Sequence, residues 1–149
     1  MHTITTTILL PYAVEAVFDL ITTAQHWPIW HPATLAVEGP VERPMQAGDH
    51  IIEYAQVGER QYDANWTVAS VERNRSLLLS AKGGRVTISY AFEETTTGTR
   101  FTRTFVYDPT VFTASASNEE GLARLMQHHS ELALKNLVIW LAQAKEGSD

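Results

Sequence analysis

A histidine lies in the middle of the apolar face of the last predicted helix, where it could do acid–base chemistry. From Ser117 to Ala144 apolar residues recur at helical spacing, with His129 near the centre of the stripe and Asn136 beside it. An imidazole in apolar surroundings needs a hydrogen-bond partner, because losing its hydration uncompensated costs about 1–3 kcal/mol. A ligand could be that partner, and His129 would then orient it or act as general acid or base. The alternative is an internal partner for His129, and a helix-to-loop hydrogen bond for Asn136.

A lone arginine interrupts an aromatic series on the last predicted strand, which reads Phe101, Arg103, Phe105 and Tyr107 in alternation. If this face is buried, the guanidinium of Arg103 is buried too and needs an anion. That anion could be a ligand carboxylate, an enolate, or an internal carboxylate such as Glu53 or Asp63. The other register of the strand places Arg103 in solvent and buries Thr102, Thr104 and Val106.

Aromatic side chains supply most of the remaining candidates. Six of them lie on predicted strand faces that point the same way: Tyr54, Trp66, Tyr90, Phe92, Phe105 and Tyr107. Tyrosine and tryptophan combine a large apolar body with a hydrogen-bonding tip, which suits a planar organic ligand and also an ordinary core. Facing a helix that carries His129, they favour a pocket. The candidate catalytic residues are His129 and Arg103. The candidate ligand-binding residues are Trp27, Trp30, Tyr54, Trp66, Tyr90, Phe105, Met126 and Asn136.

No metal site, cofactor site or nucleophilic triad is expected. His26 and His31 bracket a proline-broken turn, the chain has no cysteine, and no H-E-x-x-H spacing occurs. The adjacent His128 and His129 face about 100° apart on a helix, which makes joint chelation difficult. There is no G-x-S-x-G elbow and no glycine-rich phosphate loop.

Composition favours one soluble globular domain over residues 1–149, with 44% hydrophobic and 19% charged residues. The formal net charge of −6 argues against nucleic-acid binding, which needs clustered cations. No run approaches the roughly 18 apolar residues of a membrane span. The absence of cysteine and of a signal-peptide layout leads us to expect a cytoplasmic location.

Seven strands and a terminal helix are predicted along the chain. A short amphipathic helix over Ala13–Thr23 follows the first strand, and Ser117 with Glu120 predicts a capping box for the last helix, which Gly147 should end. Short turns between the later strands favour an antiparallel meander. The predicted strands are residues 2–10, Leu35–Glu38, Gly48–Val57, Arg60–Val71, Ser76–Lys82, Arg85–Glu94 and Thr99–Tyr107.

This order of elements resembles the helix-grip fold of the START-like and Bet v 1-like (SRPBCC) proteins, including polyketide cyclase/dehydrase relatives. Three stretches add to the resemblance: Phe18–Ile21 running into His26–Trp30, Gly48-Asp49, and Gly98–Thr104. The resemblance implies an α+β fold in which a curved seven-stranded antiparallel sheet wraps around a long C-terminal helix. It also implies a hydrophobic ligand between the two. The family has no common catalytic residues, so the resemblance implies a cavity and no catalytic role.

The function we expect is binding of a small, mostly apolar molecule of aromatic or polyketide-like kind between sheet and helix. If the protein is an enzyme, proton transfer in a cyclisation, dehydration or aldol-type step fits best. His129 would be the acid or base, Arg103 would stabilise an enolate, and Tyr54 or Tyr90 would orient the substrate. A carrier or sensor would use the same cavity without turnover. A protein-interaction module, like the co-chaperone branch of this fold, would instead expose an apolar patch, for example at Val111-Phe112. A homodimer is compatible with the sequence, but nothing in it specifies one.

Overall fold

One antiparallel sheet and one long helix form the two layers of the chain in a computed structural model, which describes residues 1–146. The seven strands are hydrogen-bonded in the order β1-β7-β6-β5-β4-β3-β2, and each neighbouring pair is antiparallel. This confirms the α+β class and the helix-grip arrangement. The strands are β1 (His2–Leu10), β2 (Thr34–Glu38), β3 (His50–Val57), β4 (Arg60–Glu72), β5 (Ser76–Ala81), β6 (Val86–Thr95) and β7 (Gly98–Tyr107).

Two short helices follow β1 and deliver the first two tryptophans to the interior. The first, α1 (Val14–Thr22), buries the apolar residues that its spacing predicted. The second, α2 (Trp27–Trp30), is a single turn that buries Trp27 and Trp30, and the prolines around it forbid anything longer. The chain then enters β2 at the edge of the sheet.

The long helix, α3 (Glu119–Glu146), begins after Asn118. The side-chain oxygen of Asn118 accepts a hydrogen bond of 2.7 Å from the backbone N–H of Gly121. The capping box predicted at Ser117 is therefore wrong by one residue, because the amide of Asn118 takes the capping role. Gly147, expected to end the helix, lies outside the described residues, as does the end of the single domain predicted over 1–149.

The burial pattern of β7 decides between its two registers. Thr102, Thr104 and Val106 lie on the outer face, where Thr102 and Thr7 hydroxyls are 3.1 Å apart. The inner face is fully buried, and it consists of Phe101, Arg103, Phe105 and Tyr107. Arg103 therefore points toward α3, which is one of the two registers that the sequence left open.

The loop between β7 and α3 closes one end of the layer between sheet and helix. Phe112 is buried there, with its ring 5.2 Å from that of Tyr62, whose hydroxyl lies 2.8 Å from that of Ser115. The turn at Gly58 approaches so closely that an added Cβ would lie 2.3 Å from the backbone oxygen of Ser115, and its φ is +63°. The exposed apolar patch that an interaction module would need at Phe112 is therefore not present.

Candidate functional site

A narrow cavity lies between the inner face of the sheet and α3. The space open to the centres of water-sized molecules is about 70 Å³, several times the roughly 10–15 Å³ that one buried water needs. Its wall is mostly apolar and includes Trp27, Trp30, Trp66, Ile88, Tyr90, Phe105, Phe112 and Met126. The polar residues on the wall are His31, Thr34, Glu53, Asp63, Lys82, Arg103, His129 and Ser130.

Eight of the ten candidate residues predicted from the sequence line this cavity. They come from α2, from three strands of the sheet's inner face and from α3, so elements far apart in sequence meet here. The eight are Trp27, Trp30, Trp66, Tyr90, Arg103, Phe105, Met126 and His129.

Tyr54 does not lie on the cavity wall, which corrects its predicted position. Successive side chains of a strand point to opposite faces, and on β3 the cavity side is taken by Glu53 and Ala55. Tyr54 is therefore on the outer face of the sheet and cannot orient a ligand in the cavity.

Asn136 also lies away from the cavity. Its side-chain Nδ2 donates a hydrogen bond of 3.1 Å to the backbone oxygen of Trp30. This is the helix-to-loop alternative, and it fastens α3 to the turn that carries Trp27 and Trp30.

Arg103 is a buried cation on the cavity wall, and no carboxylate of the described residues forms an ion pair with it. Its side chain is 3% exposed. Nη1 donates to Ser130 Oγ at 3.1 Å and Nη2 donates to His31 Nε2 at 3.1 Å. Its Nε has no partner among the described residues, and none of their ion pairs includes Arg103. Burial lowers the pKa of Arg103, whereas Tyr90 and Glu53 act in the opposite direction.

A chain of hydrogen bonds runs from Arg103 to the carboxylate of Glu53. A guanidinium can only donate, so His31 Nε2 must accept and its Nδ1 carries the proton. That Nδ1 lies 3.3 Å from Thr34 Oγ1, and the Thr34 hydroxyl donates to Glu53 Oε2 through a short contact. The other Glu53 oxygen accepts a 3.0 Å hydrogen bond from Trp66 Nε1. Each hydrogen bond in this chain therefore has a defined donor and acceptor, and this assignment requires His31 to be a neutral imidazole.

The pKa of His31 agrees with this assignment. Burial lowers it well below the ordinary value, and the charges of Arg103 and His129 lower it further. Burial, with smaller contributions from His128 and Arg103, also lowers the pKa of His129. Both imidazoles are therefore neutral at pH 7.

The unfolding free energy should fall as the pH drops from about 6.5 toward 5. The unfolded chain takes up protons at its histidines near pH 6.5, and the folded chain resists this at His31, so stability is lost on acidification. Each such proton contributes up to about 1.4 kcal/mol per pH unit. In urea unfolding at several pH values, His31→Gln should flatten the slope without removing it, since the pKa values of His26 and His129 are also lowered. The exposed His50→Gln is the control, and a His31→Gln profile parallel to wild type would contradict the assignment.

His129 differs from His31 because one of its ring nitrogens, Nδ1, has no partner among the described residues. It is half-buried on the face of α3 that lines the cavity. Its Nδ1 is buried and makes no hydrogen bond with the described residues. The internal partner considered for His129 is thus missing at this atom, and a neutral imidazole with a free nitrogen can accept or relay a proton.

Six polar cavity residues were not predicted as site residues: His31, Thr34, Glu53, Asp63, Lys82 and Ser130. Glu53 gave a signal, since it alternates with apolar Ile51 and Ala55 on β3, but we treated it only as an internal partner for Arg103. Its oxygens instead serve Thr34 and Trp66. His31 gave no comparable signal because it lies in an irregular connection.

Residues 1–146 contain neither a metal-binding cluster nor a membrane-spanning helix. No group of three or more histidine, aspartate or glutamate side chains could hold a metal ion in this part of the chain. Within the same residues no helix combines the length and apolar character needed to cross a bilayer.

Comparisons with known proteins place this geometry among related folds. The model of the family described as "Polyketide cyclase / dehydrase and lipid transport" matches residues 1–138. No curated protein gives a significant match.

Among solved structures, the KanY protein (ms6282) is 14% identical, with a TM-score of 0.73 over 95% of this chain and 99% of that chain. Protein NE0264 from Nitrosomonas europaea is 14% identical, with a TM-score of 0.66 over 97% and 96% of the two chains. The Aha1 dimer from Colwellia psychrerythraea is 15% identical, with a TM-score of 0.65 over 92% and 93%. At such identities these structures show a shared fold and nothing further.

Proposed function

The chain belongs to the polyketide cyclase/dehydrase and lipid transport family, and on that premise we propose that it binds a small, mostly apolar molecule between the sheet and α3. The observation that supports this proposal is a cavity with apolar walls whose polar atoms are incompletely satisfied by the protein. Buried polar atoms normally have partners, so unsatisfied ones beside an open space indicate a missing partner.

The walls favour a flat apolar body for the ligand. Trp66, Phe105 and Met126 lie on three different elements around the cavity. Aromatic rings pack against a planar ligand with little loss of side-chain freedom, and each Å² of apolar surface removed from water contributes roughly 25 cal/mol. Arg103 and His129 would orient the polar end of the ligand.

Catalysis is the second candidate, and His129 favours it. A neutral imidazole with a free nitrogen can take a proton from a carbon acid, which leaves the electron pair of the broken C–H bond on an enolate oxygen. Arg103 would stabilise that oxygen through its N–H groups. Burial raises the pKa of Tyr90 to about 12, so its hydroxyl stays protonated and can donate a hydrogen bond. The family's cyclase and dehydrase reactions need proton transfers of this kind.

A carrier or sensor would use the same cavity without turnover. The structure gives less support to a protein-interaction module, because Phe112 is buried where such a module would expose an apolar patch. The Aha1 structure from Colwellia psychrerythraea is of a dimer. For this chain, homodimerisation stays a prediction.

Filling the cavity should abolish ligand binding. Ala55 lies on the wall and is buried, so Ala55→Phe projects a ring into the open space. Native mass spectrometry of freshly purified wild-type protein should show a bound small molecule that Ala55→Phe lacks. Adding that molecule at about 100 times its Kd should stabilise wild type by about 2.7 kcal/mol and leave Ala55→Phe unchanged.

The matched control is Ala91→Phe, which adds the same ring to an exposed position on β6. It should retain the ligand. Equal retention by Ala55→Phe and Ala91→Phe would place the ligand outside this cavity. A wild-type protein that carries no ligand, and is not stabilised by any apolar acid or ketone offered, would contradict the proposed function.

A further inference from the structure

We infer that the ligand is an apolar organic acid, bound as its anion with the carboxylate on Arg103. This inference rests on the proposed function, because it names the chemical class of molecule that the same cavity takes. Three features of the cavity wall support it. Arg103 has no direct counterion, the polar atoms without a hydrogen-bond partner are mainly donors, and both oxygens of Glu53 already accept hydrogen bonds from other residues.

The charge of Arg103 lacks a direct counterion. Its guanidinium is 3% exposed, and it donates to the hydroxyl of Ser130 and to the neutral imidazole of His31. Tyr90, which also favours the charged form of Arg103, is a neutral phenol. Burying an ion without an opposite charge is costly, and a guanidinium cannot relieve that cost by losing its proton. A carboxylate entering the cavity would supply the missing charge and accept the free Nε–H.

The unsatisfied atoms of the wall are mainly donors. The buried ring nitrogens of Trp27 and Trp30 and the Nε of Arg103 have no partner among the described residues. Each of these groups can donate and none can accept. His129 Nδ1, also without a partner, can do either, depending on the tautomer. These donors therefore lack acceptor atoms among the described residues, and a carboxylate is a group made only of acceptors.

The internal carboxylate nearest in the network does not meet this need. One oxygen of Glu53 accepts from Trp66 and the other accepts from Thr34. Thr34 connects Glu53 to His31 by hydrogen bonds, which keeps the Glu53 carboxylate away from Arg103. His31 in turn offers Arg103 a neutral nitrogen rather than a second cation. The site for an anion at Arg103 is thus kept open.

The net charge of the whole chain disfavours non-specific binding of anions. With a formal net charge of −6, the protein repels anions at long range. Adventitious anion binding to the surface is disfavoured, so any strong preference for acids over neutral isosteres must arise locally. Because Arg103 is buried, that preference should also depend little on salt.

Two pairs of probes test the inference: benzoate against benzamide, and 2-naphthoate against 2-naphthamide. Each amide has the shape of its acid without the charge. By calorimetric titration at pH 7.5, the acid of each bound pair should bind about 10–100-fold more tightly than its amide, since charge-assisted hydrogen bonds contribute about 1.5–3 kcal/mol. Arg103→Met should reduce this preference to about threefold or less.

The control is Arg100→Met, on the same strand but exposed and paired with Glu93, which should keep the full preference. If Arg103→Met does not fold, as judged by circular dichroism, Arg103→Lys serves instead, and it should keep acid preference with weaker binding. Equal affinity for acid and amide in wild type overturns the inference but leaves the binding function standing. Acid binding that survives in a folded Arg103→Met also overturns it. Failure of every probe, with no co-purifying molecule, overturns both.

Discussion

Replacement of His129 by glutamine should slow protein-catalysed hydrogen exchange in an aromatic 2-oxo acid by about 10²–10⁴-fold, the usual contribution of a positioned general base. Phenylpyruvate is a suitable probe, because its ring suits the apolar wall and its carboxylate suits Arg103. Its benzylic C–H proton would pass to the neutral imidazole, and the electron pair would move to the oxo oxygen as an enolate. Reprotonation from the imidazolium in D₂O places deuterium on that carbon, so loss of the benzylic proton signal in NMR spectra reports the rate.

The neighbouring histidine provides the control for this experiment. His128 is exposed on α3, and His128→Gln makes the same chemical change one residue away. It should exchange the probe at the wild-type rate. Equal rates in His128→Gln and His129→Gln would remove His129 from the chemistry. A wild-type rate no faster than buffer, with phenylpyruvate bound, would favour a carrier over an enzyme.

The contrast between the two cavity histidines explains why His129 is the residue to test. Both are neutral at pH 7 because burial lowers their pKa values. His31 is committed on both nitrogens, to Arg103 and to Thr34, so protonating it would break the relay. His129 has a nitrogen that makes no bond with the described residues. A base must be free to accept a proton, and only His129 meets that condition.

The strands and helices could be predicted because their periodicity is local. Each predicted strand is present with bounds shifted by at most two residues. The local pattern favoured an inward Arg103 without deciding its register; three aromatic neighbours on alternate positions share its face, and all are buried. The same alternation places Tyr54 on the outer face of β3, because Ile51, Glu53 and Ala55 share the inner one.

The polar relay could not be predicted because it depends on tertiary placement. His31 and Thr34 are three residues apart and meet through a local turn. Only the folded sheet brings Glu53 of β3 and Arg103 of β7 within hydrogen-bond distance of them, and the spacing of these residues does not indicate it. Their side chains nevertheless decide the charge and tautomer of the cavity, so the chemistry of the site was less predictable than its location.

Glu53→Ala should destabilise the protein by about 2–6 kcal/mol, because it removes the acceptor for two buried donors at once. Trp66 Nε1–H and the Thr34 hydroxyl would both lose their partner, at about 1–3 kcal/mol each. Arg103 would also lose the negative charge of Glu53, which favours its charged form. Urea unfolding at pH 7.5 measures the loss as a lower midpoint at unchanged slope.

Glu53→Gln separates the two contributions, because the amide keeps the shape and can accept one of the two hydrogen bonds while losing the charge. It should fall between wild type and Glu53→Ala. The surface control is Glu93→Ala, which removes an exposed carboxylate paired with Arg100 and should cost less than about 1 kcal/mol. If Glu53→Ala cost no more than Glu93→Ala, the carboxylate would not be holding Trp66 and Thr34 in place.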